Sequence, residues 1–405
     1  MPSPGEQSES LGAALDRAYP ELAAIRDAAD APVYLVGGAV RDLLLGRPRG
    51  DVDVVVEGDA AALAARLGAE PTAHDRFGTA KVVLDGHEVD VAAARRESYP
   101  APGALPVVTP GASIEADLGR RDFTINAMAV PLRGEAELID PHGGRADLEA
   151  GLLRVLHPAS FADDPTRALR AARYAARFGF ALEPGSGRLL RAADLGTVSA
   201  DRRRAELLRL AGEATAPRGF ELLGEWGLLR LRAGGAELAA RVGEVLDGGP
   251  WRGFVPRGAA VLAAAAPAGA ADERTGSAPG PAAPDASSAA EETLAAPGDR
   301  SLAAAEALAA ARPQRPSEAV ALARARTPLE LVLARARGAE WLDRWLTEWS
   351  RVELEISGED LLAAGVPQGP ALGRGLEAAL AAKLDGEISG PSEELATALA
   401  ATGDA

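Results

Sequence analysis

Short apolar runs separated by polar turns fill residues 31–140, and beyond Asp147 the apolar positions fall at helical spacing instead. Leu11, Leu15, Leu22 and Ile25 predict an amphipathic helix within residues 11–30. Val33-Tyr34-Leu35-Val36 predicts a strand stopped by Gly37-Gly38, and a helix over Ala39–Leu45 closes at Gly46. A second strand is expected over Val52–Val56 and a helix over Ala60–Leu67. Lys81–Leu84 and Glu88–Ala92 flank Asp85-Gly86, a dipeptide suited to a tight hairpin turn. This mixture predicts an α/β or α+β domain on a small sheet. The resulting division is an N-terminal helix (1–30), a mixed domain (31–147), a helical segment (148–258), an insert (259–300) and a further helical segment (301–405). The insert is rich in Ala, Pro, Gly, Ser and Glu, a composition that predicts a flexible stretch without a core.

Composition narrows the chemistry. No cysteine occurs among the 405 residues, which excludes disulfides, thiolate metal sites and Cys nucleophiles. Met1–Ser10 has neither a basic start nor an apolar stretch, so no secretory leader is expected. No charge-free apolar run reaches membrane-spanning length, and a cytoplasmic enzyme is the expectation. The net charge of −16 argues against a general nucleic-acid binder. Residues 161–232, however, hold 13 Arg against nine Asp plus Glu, which keeps a local RNA-facing surface open.

Gly37-Gly38-Ala39-Val40-Arg41-Asp42 joins a strand to a helix. Glycines there let the backbone approach a ligand, and a helix start favours an anion such as a triphosphate. Arg41 falls in the first turn, within reach of the same phosphates. Nine residues past Asp42, Asp51-Val52-Asp53 opens the second strand, and residues two apart share a face. Two carboxylates side by side suit Mg²⁺, which in pairs supports phosphoryl transfer. Each feature alone also reads as an ordinary turn or a solvated strand end; their order and spacing favour the functional reading.

The run YLVGGAVRDLLLGRPRGDVDVVVEG, Tyr34–Gly58, resembles the head-domain signature of the class II tRNA nucleotidyltransferases and bacterial poly(A) polymerases. That resemblance implies an α+β fold: a DNA polymerase β-like nucleotidyltransferase head with a small mixed sheet, then an all-helical neck, body and tail. It implies that Gly37, Gly38 and Arg41 bind the incoming triphosphate and that Asp51 and Asp53 hold metal ions, with Asp90 as a third catalytic acid. RRDFTINAMA is similar to the family's second motif, which implies that Arg120, Arg121, Asp122 and Asn126 bind the nucleotide at its ribose 2′-OH. Asp163-Asp164-Pro165-Thr166-Arg167 predicts a helix capped by Asp164 and running to about Phe178.

Arg167, Arg170, Arg173 and Arg177 form a basic stripe on that helix, which without context reads as solvent-facing. The block resembles the family's templating motif, usually Glu-Asp-x-x-Arg, with Asp163 standing in place of Glu. The resemblance makes Asp163, Asp164, Arg167, Arg170 and Arg173 nucleobase contacts. An Asp accepting from an amino group and an Arg donating to a ring nitrogen would select cytosine and adenine together. Ser199–Leu207 resembles a fifth motif that braces this helix, with Arg202–Arg204 near RNA, and the segment around 358–370 resembles the tail.

The implied reaction is addition of C and/or A to the 3′ end of tRNA from CTP and ATP, with the tRNA elbow held by body and tail. Alternatives within the class are a poly(A) polymerase or a CC-only or A-only enzyme. The acidic Ala398–Ala405, where a poly(A) polymerase often carries a basic tail, favours the tRNA enzyme. An inactive RNA-binding relative is the reading from another class. Glu97–Ile114 corresponds to a region that differs among such enzymes, and no residue role is read from it.

Overall fold

The computed structural model describes residues 10–47, 50–68, 79–265 and 300–402. The chain divides into one unit of Met1–Glu206 with Trp226–Leu228 and another of Leu207–Glu225 with Leu229–Ala405.

The first unit opens with α1 (Leu11–Ala18), capped by the Ser10 hydroxyl, and α2 (Leu22–Ala28). One helix was expected here. Pro20 disfavours helical backbone at the residue before it, and Tyr19 sits at φ −137°, which splits the segment in two. Next come β1 (Val33–Val36), α3 (Gly38–Leu44), β2 (Val52–Val56), α4 (Ala60–Arg66), β3 (Thr79–Leu84) and β4 (His87–Ala93). The hairpin β5 (Arg95–Ser98) and β6 (Val107–Pro110), α5 (Ile114–Leu118) and β7 (Ala129–Pro131) complete the head.

Its sheet has the order β3-β4-β2-β1-β7 and is mixed: β2 and β4 are parallel and the other pairs antiparallel. β2 lies in the middle, which explains its run of valines. Val52, Val54, Val55 and Val56 are all buried, each burial stabilising the fold by roughly 1.5–3 kcal/mol. Only Asp53 interrupts the run. Register puts Asp53 beside Val36 on β1 and Asp90 on β4, and Asp90 beside Lys81 on β3. The polar row therefore crosses three strands on one face. Leu35, Val54, Val89 and Val91 occupy the other face, and α3 and α4 pack on these strands.

Beyond the head come α6 (Gly144–Ala150), β8 (Leu152–Leu153), α7 (Ser160–Asp163), α8 (Thr166–Phe178), β9 (Ala181–Leu182), α9 (Pro184–Leu190) and α10 (Ala200–Gly212). The expectation of helices alone past Asp147 needs correction. β8 and β9 pair in parallel, and Phe123 bridges Val155. Strands of two residues are too short to show an alternating pattern, so periodicity could not reveal them.

In the second unit the described residues are helical: α11 (Ala216–Glu225), α12 (Gly235–Asp247), α13 (Arg257–Ala265), α14 (300–310), α15 (Pro316–Arg324), α16 (Pro328–Ala336), α17 (Trp341–Thr347), α18 (Gly358–Ala363), α19 (Pro370–Leu384) and α20 (Pro391–Thr402). The start of the expected insert is corrected here. Residues 259–265 belong to α13, where Ala260, Val261, Ala264 and Ala265 are buried, because small apolar side chains suit close helix packing. Residues 266–299 lie outside the described residues. α18, α19 and α20 share a small core of Ile356, Leu361, Val366, Ala379 and Ala398.

Candidate active site

The glycine turn is built as its sequence requires. Gly37 has φ +66° and ψ −127°, a conformation open to glycine and little else, and a Cβ there would stand 2.5 Å from Arg121 Nη1. The Arg121 guanidinium thus lies directly over the turn. Its Nη2 donates to Asp117 Oδ2 at 3.1 Å, and its buried Nε–H has no hydrogen-bond partner. A cation with an unsatisfied donor above a glycine turn is a seat for an anion.

Arg121 also acts on Asp53. Burial pushes the Asp53 carboxyl up from its ordinary value; Arg121 opposes this, Asp90 and Asp51 add to it, and Lys81 opposes it more weakly. Three carboxylates therefore feel one another at the end of β2. Asp90 Oδ1 is buried without a hydrogen-bond partner, with Lys81 Nζ 3.6 Å away. An orphaned carboxylate oxygen beside a carboxyl resisting ionisation fits a divalent cation, whose charge would relieve both. Among the described residues, no three acidic or imidazole groups already converge tightly enough to enclose one.

Arg41 is only 3% exposed. Its Nε and Nη2 hold Asp42 Oδ1 at 2.9 and 2.8 Å, Nη1 donates to Asn126 Oδ1 at 2.6 Å, and the guanidinium lies 4.5 Å from the Phe178 ring centre. These contacts brace the turn. Asn126 passes the connection on: its Nδ2 donates to Asp122 Oδ1 at 2.9 Å. Asp122 in turn accepts from Arg170 Nε and Nη2 at 2.8 and 2.7 Å. Burial alone would raise the Asp122 carboxyl, but Arg170 and Asn126 outweigh it and bring it to about 2. Both oxygens of Asp122 are thus occupied by the protein.

The arginine stripe of α8 is unevenly exposed: Arg177 is exposed, Arg170 is half-buried and the other two are covered. Arg167 and Arg173 are buried. Arg170 also lies 3.5 Å from Glu206 of α10 and donates to the Tyr174 hydroxyl at 3.0 Å. Arg173 lies 3.7 Å from Glu206 and 4.6 Å from the Tyr174 ring centre. Burying this charge is tolerable because Arg170 and Arg173 each meet a carboxylate and an aromatic face, while Arg167 is held by the Ser160 hydroxyl and the Arg120 carbonyl.

At the start of α8, Asp164 caps as predicted, with the helix beginning at Thr166. Its Oδ1 accepts from Thr166 N at 3.0 Å, Thr166 Oγ1 at 2.6 Å and Arg202 Nη2 at 2.9 Å. Its Oδ2 has no hydrogen-bond donor among the described residues. Arg167 Nη1 donates to Ser160 Oγ at 3.0 Å and Nη2 to the Arg120 carbonyl at 2.8 Å, and its Nε–H has no acceptor among the described residues. One carboxylate oxygen and one guanidinium N–H thus stay unbonded near the head of the helix among the described residues. Tyr99 lies close by. Burial pushes its hydroxyl up, Arg167 opposes this, and Glu97 and Asp164 add to it. Asp163 ends α7, with no side-chain hydrogen bond among the described residues.

Several supporting residues escaped the sequence reading. Asp117, with no exposure, holds Arg120 through Nε at 2.9 Å and Arg121 at 3.1 Å. Its spacing of three and four residues before that Arg-Arg pair was a visible signal. Glu97 also binds Arg120, at 2.8 Å. Arg202 bonds to the Gly103 carbonyl and Arg203 to the carbonyls of Leu195 and Val198. His142 and His157 take no part in an acidic cluster among the described residues.

An acidic row lies beside a cation-topped glycine turn on a small mixed sheet. Residues 33–154 match the family described as the poly A polymerase head domain. An A-adding tRNA nucleotidyltransferase of Geobacter sulfurreducens is 42% identical over 238 residues, covering 56% of this chain and 27% of that protein. A CC-adding tRNA nucleotidyltransferase of Deinococcus radiodurans is 40% identical over 232 residues, covering 55% and 61%. The chain thus spans less than two thirds of these relatives. Across nearly its whole length it has the fold of a CCA-adding enzyme solved without ligand, with TM-score 0.77, 28% identity and coverage of 97% and 99%. Other similar structures are CCA-adding enzymes in complex with tRNA, ATP and CTP. No described helix is long and apolar enough to cross a membrane.

Proposed function

We propose that this chain is a tRNA nucleotidyltransferase that adds C, A or both to the 3′ end of tRNA from CTP and ATP, releasing pyrophosphate. The observation that carries the reading is the Asp53–Asp90 row set beside the Gly37–Arg121 seat, because phosphoryl transfer needs acidic groups and a phosphate cradle together. The Gly37-Gly38 backbone and Arg121 receive the triphosphate, with Arg41 bracing the turn from below. Asp51 and Asp53, with Asp90 opposite, are the residues that would hold Mg²⁺, which when bound supplies Lewis-acid stabilisation of charge on the phosphate. Burial, Asp90 and Asp51 hold the Asp53 carboxyl above its ordinary value, and a bound cation would offset that repulsion.

At the head of α8, Asp164 Oδ2 accepts from an exocyclic amino group and Arg167 Nε–H donates to the adjacent ring nitrogen. Cytosine N4–H₂/N3 and adenine N6–H₂/N1 present that pair, whereas uracil and guanine reverse it and leave groups unpaired. Arg170 and Arg173 hold the helix instead of touching the base, and Asp122 and Asn126 align it with the glycine turn. The relatives and solved neighbours named for A, CC and CCA addition support the substrate class.

The test supplies purified protein with tRNAs ending before CCA, after one C and after both Cs, each with one nucleotide at a time. Incorporation of C or A in a metal-dependent manner is expected, and the pattern of accepted ends distinguishes CCA, CC-only and A-only addition. Long A tracts on any RNA 3′ end would replace this reading with a poly(A) polymerase. No incorporation with any nucleotide would remove it.

A further inference from the structure

The acidic row has a cation at its rim. β3 is the outermost strand of the sheet, and Lys81 stands directly opposite Asp90 of β4 in the antiparallel register. Lys81 Nζ lies 3.6 Å from Asp90 Oδ1, longer than a hydrogen bond, and 3.4 Å from Glu88 Oε2. Asp90 Oδ1 is buried and unbonded, whereas the Lys81 side chain is 64% exposed. The ammonium therefore approaches from the solvent side, close enough to act on the carboxylate and too far to bond it. Val83, two residues along the same face, is also exposed, so a position on this edge does not by itself call for a charge.

The fold treats two of its acids in opposite ways. Both oxygens of Asp122 are bonded, one by Asn126 and the other by the Arg170 guanidinium, and that carboxylate is out of further use. Asp90 meets a lysine instead, a compact charge on a flexible stem, and exposed pairs of this kind hold weakly. Asp51, Asp53 and Asp90 repel one another while no cation lies among them. A countercharge at the rim lowers that repulsion without filling the space between the acids.

We propose that Lys81 is a displaceable counterion of the acidic row: it offsets the charge of Asp90 in the metal-free protein, gives way to a divalent cation, and so sets the affinity of the site for that cation. This inference rests on the proposed function, which assigns the cation to Asp51, Asp53 and Asp90. Charge decides the direction of the effect. A neutral side chain at position 81 leaves the three acids without their countercharge, and an arriving cation then meets more negative charge and binds more tightly.

The experiment measures Mn²⁺ binding to the full chain without nucleotide or RNA, from the loss of the free-ion electron paramagnetic resonance signal. Wild type is compared with Lys81→Met, Lys81→Arg, Arg145→Met and Asp53→Asn. Lys81→Met is expected to bind Mn²⁺ about three- to tenfold more tightly at low salt, the Coulomb effect of removing one charge near a divalent ion in a largely aqueous setting. The gain should shrink as added salt screens it. Lys81→Arg keeps the charge and is expected within twofold of wild type. Arg145→Met changes the net charge by the same amount at a 61% exposed arginine paired with Glu149 on α6, and is also expected within twofold. An affinity of Lys81→Met within twofold of wild type, or weaker, overturns the inference. An equal gain in Lys81→Arg or Arg145→Met, or a gain that salt leaves unchanged, overturns it as well. Asp53→Asn is expected to lose the site; Mn²⁺ binding unchanged in that variant overturns the metal assignment of the proposed function, a separate result.

Discussion

The Asp122–Arg170 pair ties the head to α8, and its strength follows from one ionisation. Asp122 titrates at about 2 in the folded chain against an ordinary value of 3.8. A carboxyl whose folded value is depressed stabilises the fold above its unfolded value and loses that contribution as pH falls through the folded one. The difference corresponds to roughly 2 kcal/mol near neutral pH, about half of that at pH 3 and little at pH 2. Asp122→Asn keeps the shape and removes the charge, leaving Arg170 with Glu206 at 3.5 Å as its remaining carboxylate. A loss of about 2–3 kcal/mol near neutral pH is expected, at the low end for breaking a buried pair because Glu206 remains. Urea unfolding of wild type and variant, followed by circular dichroism across the pH range, reads the gap directly. The gap should contract steadily from about pH 5 to pH 2. A gap that stays constant over that range, or a variant as stable as wild type at neutral pH, would refute the pairing argument.

Three other outcomes follow from the same geometry. Asp53→Asn should abolish incorporation yet raise the metal-free melting temperature by roughly 2–4 °C if relief of the buried charge is worth about 1 kcal/mol; a lower melting temperature would contradict the repulsion among Asp51, Asp53 and Asp90. Because Asp53 is raised in the folded chain, its effect on metal-free stability runs opposite to that of Asp122: the wild type loses stability as pH rises through the Asp53 ionisation, and added Mg²⁺ should restore it. Arg167→Ala should lose selection of CTP and ATP over UTP and GTP, and unchanged selection in nucleotide competition assays would refute its donor role. Gly37→Ala forces a side chain into a backbone region that costs about 1–3 kcal/mol and displaces Arg121, so KM for the nucleotide should rise while tRNA binding, measured by filter retention, holds.

Much of the head was legible because its signals are local. The apolar run at Val52–Val56, the turn at Asp85-Gly86 and the glycine pair each dictate their own conformation, and the strands and helices fall within a few residues of expectation. Register then delivers the Asp53–Asp90 pair without further information. What sequence could not reveal was partnership across distance. An arginine looks the same on a solvated face as in an ion pair, and nothing local in the α8 stripe reveals that Arg170 is paired with Asp122, 48 residues away. The bond of Arg41 to Asn126, 85 residues away, has no local signal for the same reason. Arg202 had no local signal for its bond to Gly103, 99 residues distant.

The paired arginines of α8 bear on how this protein meets a polyanion. Residues 161–232 carry four more positive than negative charges, but Arg170, Arg173 and Arg202 are engaged with carboxylates inside the first unit. A guanidinium already neutralised displaces no counterion when RNA docks. Affinity should therefore fall with ionic strength less steeply than the arginine count suggests, and shape and hydrogen bonding, more than long-range attraction, should govern the encounter.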